Sequence, residues 1–175
     1  MERIKEVFNV LFSEEQNPYF QVSEDNRIAI PFTILEGKPS FVKTIISMLF
    51  ERESKIDVSF LKSYIPKGFK NPRSFENKTL HSTINIKNWE EHRITKMEFG
   101  DILIYVTVKD IMSEEIYNYI LTLLKGKKDA YIGFYNDYYL MTVDTDEILI
   151  FARDTELIFP VKVLVDKTLD SRNKT

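Results

Sequence analysis

A chain of 175 residues with 43% hydrophobic and 29% charged side chains has the size of one globular domain and too much apolar material to stay disordered. The absence of cysteine excludes a disulfide framework, a thiolate zinc site and a cysteine nucleophile. Five glycines, with no G-x-G-x-x-G or G-x-x-x-x-G-K frame, exclude a glycine-rich phosphate cradle. A net charge of −3 argues against a dedicated nucleic-acid protein.

In chain order, Ile4, Val7, Phe8, Leu11 and Phe12 recur at helical spacing and predict a helix over residues 2–13. The stretch lacks the apolar core and small-residue cleavage site of a signal peptide, and no window of the chain approaches the ~18 apolar residues of a membrane span. A cytoplasmic protein that avoids membranes is expected. Ser23-Glu24-Asp25-Asn26 separates two β-prone runs, a predicted hairpin, and Pro31 places the second run at an edge or ends it.

A second helix starts at Pro39-Ser40 and carries the apolar stripe Phe41, Val42, Ile45, Ile46, Leu49 and Phe50. Asp57 stands as the cap of a short third helix reaching Tyr64. Residues 65–78, with two prolines and a glycine, predict an exposed loop. "TLHSTINIK" and "HRITKMEFGDILIYVTVKD" predict strands, with a turn at Phe99-Gly100-Asp101. The alternation from Ile102 to Val108 is apolar on both faces, as in a central strand.

Ser113, Glu114, Glu115, Lys125 and Gly126 are the start and stop signals of a helix over 113–125. "AYIGFY", "YYLMTV" and "EILIFA" follow as three strands joined at Asn136-Asp137 and Asp144-Thr145-Asp146. For the C-terminal run, Asp154 or Thr155 suits a helix cap, whereas Pro160 and the alternation Val161-Val163-Val165 favour a strand. The sum is a single α+β domain over residues 1–165, a largely antiparallel sheet with three to four helices packed on one side, and a disordered tail over 166–175.

Candidate chemistry is sparse. Asp144, Asp146 and Glu147 offer carboxylate oxygens to a hard cation, the basis of a metal-dependent hydrolase reading with a histidine as base. The same residues make an ordinary hairpin tip, and the loop length, glycine and distant glutamate of an EF-hand are missing. His81 and His92 fall in no H-x-x-x-H or H-E-x-x-H frame, and Ser47 lies in no G-x-S-x-G. No catalytic residue, metal ligand or cofactor is assigned. Lys67, Lys70 and Arg73, with Lys62, Lys78, Tyr64, Phe69 and Phe75 around them, mix charge and rings as a single-strand nucleic-acid module does. Tyr135, Asp137, Tyr138, Asp144, Asp146 and Glu147 are expected to gather at one end of the hairpin array, as an exposed patch facing a basic partner.

Residues 3–23 and 143–161 resemble an uncharacterised Bacillus-type family known as a domain of unknown function. Its members open with a helix similar to "RIKEVFNVLFSEEQNPYFQVS" and close with a strand-turn-strand bearing Tyr-Asp-Asp-Arg-Gly, then Ile-Ile-Ala-x-Asp-Lys-Glu. Asp144 fills the first Asp position, and Ala152, Asp154 and Glu156 the later ones. Val143, Asp146 and Glu147 stand where the Tyr, Arg and Gly belong. The resemblance implies a bacterial origin and carries over no established activity. Small single-domain size, mild acidity, the aromatic and acidic patch and the lack of a credible active site lead to the expectation of a non-catalytic protein-binding domain, an immunity protein that neutralises a basic toxin nuclease, with the hydrolase and the nucleic-acid module over residues 62–78 as alternatives.

Overall fold

The structure, a computed structural model, describes residues 1–12, 17–50, 55–95, 100–126, 131–144 and 146–172. Its centre is an antiparallel sheet of eight strands, counted among the described residues. They are β1 (Arg27–Pro31), β2 (Ile56–Ile65), β3 (Arg73–Ser74), β4 (Trp89–Thr95), β5 (Ile102–Ile111), β6 (Ile132–Tyr135), β7 (Tyr139–Val143) and β8 (Glu147–Ala152). They lie in the order β1-β8-β7-β6-β2-β5-β4, with the short β3 beside the far half of β2.

The helical segments are α1 (Glu2–Phe8), α2 (Pro18–Gln21), α3 (Phe32–Leu35), α4 (Pro39–Phe50), α5 (Lys78–Thr83), α6 (Ser113–Leu123) and α7 (Thr155–Arg172). Side chains from α3 to α7 meet one face of the sheet. There Val58, Phe60, Val106, Val108, Phe134, Met141, Ile148 and Ile150 join Leu49, Phe50, Ile116, Ile120, Ile158 and Val161 in the main core. Alternate strand residues point the other way. Tyr135, Leu140, Leu149 and Phe151 are covered by Ile4, Phe8 and Val10 of the N-terminal segment. The expected antiparallel α+β fold is thus present, and the N-terminal helix lies on the face opposite the main helical layer. Among the described residues no helix is long and apolar enough to cross a membrane.

The three-strand meander β6-β7-β8, helix α4, helix α6 and the edge position of Pro31 agree with the sequence reading. Five other segments differ. Helix α1 stops at Phe8, where Asn9 turns left-handed with φ 54°.

The first half of the expected 17–35 hairpin is instead the helical turn α2. Asn17 Oδ1 caps it by accepting from the Tyr19 amide at 2.8 Å, with Pro18 in its first turn. Strand β1 pairs with β8, not with its sequence neighbour. Residues 57–64, expected as a helix, lie in β2, because Val58, Phe60 and Leu61 are all buried between β5 and β6 or the segments above and below them.

"TLHST" forms α5 and no strand. The Ser82 and Thr83 hydroxyls donate back to the Thr79 carbonyl at 2.9 and 2.8 Å, which closes the turn. Residues 155–172 form α7. Ile158, Val161 and Val165 are buried at helical spacing, and Pro160 removes only the bond to the carbonyl of Glu156 near the exposed start. The helix continues to Arg172, inside the segment expected as a tail, and the rest of that tail lies outside the described residues. Of the expected 99–101 turn, Phe99 lies outside the described residues, while Gly100 takes φ 67°.

Candidate functional site

The six residues expected to form one acidic and aromatic patch do not meet. Successive turns of a meander fall at opposite ends, so Asp137 and Tyr138 stand at one end of β7, and Asp144, Asp146 and Glu147 at the other. The five residues of β7 separate the turns by roughly 15 Å at about 3.4 Å per residue.

Tyr135 is buried, with its hydroxyl 3.1 Å from Ser59 Oγ, which in turn lies 2.7 Å from Thr107 Oγ1. Asp137 is exposed but already held by Arg3 at 2.6 Å, and the same guanidinium reaches Asp57 at 3.1 Å. Tyr138 is half-buried under the Arg153 guanidinium.

At the far turn the Glu147 carboxyl is held above its ordinary range by burial and then by the charges of Asp146 and Asp144. Thr145 lies outside the described residues. Among the described residues no group of three or more His, Asp or Glu is placed to hold a metal ion.

The histidines sit on opposite faces of the sheet. His92 pairs across from Tyr105, on the side away from the main helices. Its imidazole is held below the ordinary value by burial first and then by the Met1 amino group. His81 lies on α5 and lines a cavity on the helical side. A shared site for the two is ruled out by the sheet between them.

That cavity, about 310 Å³, is bounded by Phe60, Lys62, Ser74, Phe75, Asn77, His81, Ile86, Trp89 and Val106. It opens where the helical layer ends, with α5 at one wall and strand β4 at the rim. A β-bulge positions its cation. Leu61 pairs with Tyr105 and Ser63 with Ile104, so Lys62 is the extra residue of β2 and turns toward the same side as Phe60.

The Lys62 ammonium lies 5.2 Å from the centre of the Trp89 ring and 3.2 Å from Glu91, whose carboxylate is also 3.4 Å from Arg93. Glu91 is held below the usual carboxylate range chiefly by the Lys62 hydrogen bond. Asn77 anchors the wall by donating to the Leu61 carbonyl at 3.1 Å.

The loop of Lys67, Lys70 and Arg73 leads into β3, where Arg73 pairs across from Tyr64 and so lies on the face opposite the cavity. It is pinned, not loose. The Lys67 amide donates to Asp101 at 2.9 Å, the Phe75 amide donates to the Lys62 carbonyl at 3.0 Å, and the Arg73 guanidinium lies 5.7 Å from the Phe69 ring centre. A side chain at Gly100 would come within 3.2 Å of the Lys67 stem, so the positive φ and the nearby loop both favour glycine there. Phe69, Trp89 and Phe75 keep 62, 52 and 37% of their surface exposed.

Residues 62–93 hold seven Lys or Arg against three Glu, in a chain whose net charge is −3. The basic character is therefore local, and the segment also carries three exposed rings, although Phe20, Tyr131 and Phe159 are exposed elsewhere. Trp89, Phe60, Ile86 and Val106 escaped the sequence reading as site residues. The signal available was the lone tryptophan in the charged run "KNWEEHR".

None of the family models, curated proteins or solved structures compared with the chain matches it.

Proposed function

We propose that the chain is a non-catalytic binding domain for single-stranded nucleic acid, held at the end of the sheet built by residues 62–93. The observation that carries this reading is the coincidence of exposed rings at Phe69, Phe75 and Trp89 with the seven cations of that segment. Rings accept any base by stacking and cations follow the phosphates, which is the chemistry of sequence-tolerant single-strand binding. A basic protein partner such as a toxin nuclease would have to be held by Asp144, Asp146 and Glu147 without the tyrosines expected beside them, a smaller surface. The hydrolase alternative has no gathered set of carboxylates and histidine to support it among the described residues.

The test is fluorescence anisotropy with labelled single-stranded DNA and RNA across a salt series. Binding is expected at low salt. Lys67→Glu, Lys70→Glu and Arg73→Glu together should weaken it, and the log-log salt slope should flatten by about 0.7 for every phosphate no longer neutralised. Absence of any shift at low salt would overturn the reading, as would equal binding by the triple variant.

A further inference from the structure

Resting on that reading, we infer that the cavity between α5, β3 and β4 is a pocket for one base turned out of the strand. Its volume of about 310 Å³ lies at the small end of the ~300–1,000 Å³ range of ligand pockets, enough for a single ring system and too little for an extended ligand. Phe60, Val106 and Ile86 make an apolar floor. Phe75 and Trp89 supply aromatic walls that remain partly exposed.

A flat heterocycle satisfies such a site because its faces are apolar and its edge is polar. The cation decides the class. Lys62 stands at the mouth, over Trp89, paired with Glu91, while Arg93 draws on the same carboxylate. Two cations share one anion, so the mouth stays positive and favours a ring that carries a phosphate beside it. A neutral aromatic ligand would make no use of that charge. Ser74 of β3 lines the cavity, while Arg73 before it pairs with Tyr64 and lies on the other face, so Lys62 is the cation that serves the pocket itself.

Trp89 is the chain's only tryptophan, so its fluorescence reports on this cavity alone. The experiment uses the full chain with two unlabelled strands of equal length, an oligothymidylate and an abasic phosphodiester, read by Trp89 emission and by competition anisotropy. The oligothymidylate is expected to quench Trp89 and the abasic strand to bind more weakly without quenching. Ile86→Phe fills the floor and should weaken oligothymidylate binding by at least roughly fivefold, the low end for loss of one stacked base, while leaving the abasic strand unchanged. Ser74→Tyr, at an exposed rim position, fills the same space without touching the core and guards against a misfolded Ile86 variant; far-UV circular dichroism monitors both. If neither strand binds, the nucleic-acid reading itself fails and the pocket with it. If the oligothymidylate binds but Trp89 is not quenched, or both filled variants bind it as wild type does, the pocket is refuted and strand binding stands.

Discussion

Replacing Tyr135 separates an exposed interface residue from a core residue by size of effect. The ring is 1% exposed, packed with Ile4, Phe8 and Leu140 on the N-terminal face, and its hydroxyl lies 3.1 Å from Ser59 Oγ. Burial holds the phenol above its ordinary pKa, so it stays neutral. Tyr135→Phe keeps the ring and removes one oxygen. Ser59 still bonds Thr107 at 2.7 Å, so no hydroxyl is stripped of every partner, and the cost should be near 1 kcal/mol, about the net worth of one such bond. Tyr135→Ala empties the ring's volume as well and should cost about 3–5 kcal/mol. It also removes the surface under Arg3, whose guanidinium stands 5.9 Å from the ring centre. For a chain of this size these are shifts of about 2–4 °C and about 6–20 °C. Urea unfolding followed by circular dichroism measures both, with an unchanged m-value as the check on two-state behaviour. A Tyr135→Ala variant within about 1 kcal/mol of wild type would refute the buried placement and restore Tyr135 as surface.

Glu147→Gln should stabilise the protein at pH 7 by roughly 0.5 kcal/mol, since it removes a charge disfavoured first by partial burial and then by Asp146 and Asp144 at a partly solvated turn. The folded pKa is raised, so the native glutamate's contribution is full below its unfolded value and is lost as pH rises through the folded one. The variant's advantage should therefore vanish in thermal melts near pH 4, and an advantage that persists there would contradict the cause. Arg3→Gln should destabilise by about 1 kcal/mol, because Asp57 is only 14% exposed and would be left without its 3.1 Å ion-pair partner. Hydrogen exchange of α1 should rise with it, and unchanged exchange would mean the helix is held by Ile4 and Phe8 alone.

The meander was readable because β6, β7 and β8 are apolar runs divided by Asn-Asp and Asp-Thr-Asp, and such turns hold their strands next to one another. Helices α4 and α6 were readable because one stripe of each faces the core. Strand β2 was not. Phe60 and Leu61 are both buried, on opposite faces, so no period of two survives, and Asp57 imitates a helix cap while its partner Arg3 lies 54 positions away. The β1–β8 pairing joins Arg27 to Phe151, a long-range match that local propensity cannot announce. Helix α7 hid behind Pro160, because proline breaks helix interiors, whereas this one stands little more than a turn from the start.

The cavity was the hardest to foresee, for a related reason. Its wall is contributed by β2, β3, α5, β4 and β5, and one of its key positions depends on a register slip. Without the bulge at Lys62, an uninterrupted β2 would continue its pairing one residue out of step with the register seen beyond Leu61, and the residues after it would exchange faces. Strand β4 adds Trp89 opposite Val108 and Glu91 opposite Val106, which fixes ring and carboxylate on the same side as the lysine. The helical layer could have covered this corner, but α5 has six residues and forms only one wall. An antiparallel sheet with a long central strand and a short local helix thus leaves an apolar floor partly uncovered, ringed by the chain's most basic segment. The core explains why the floor is apolar, but it does not require a half-exposed tryptophan or a lysine at the mouth, and those two residues are the ones for which binding gives a reason.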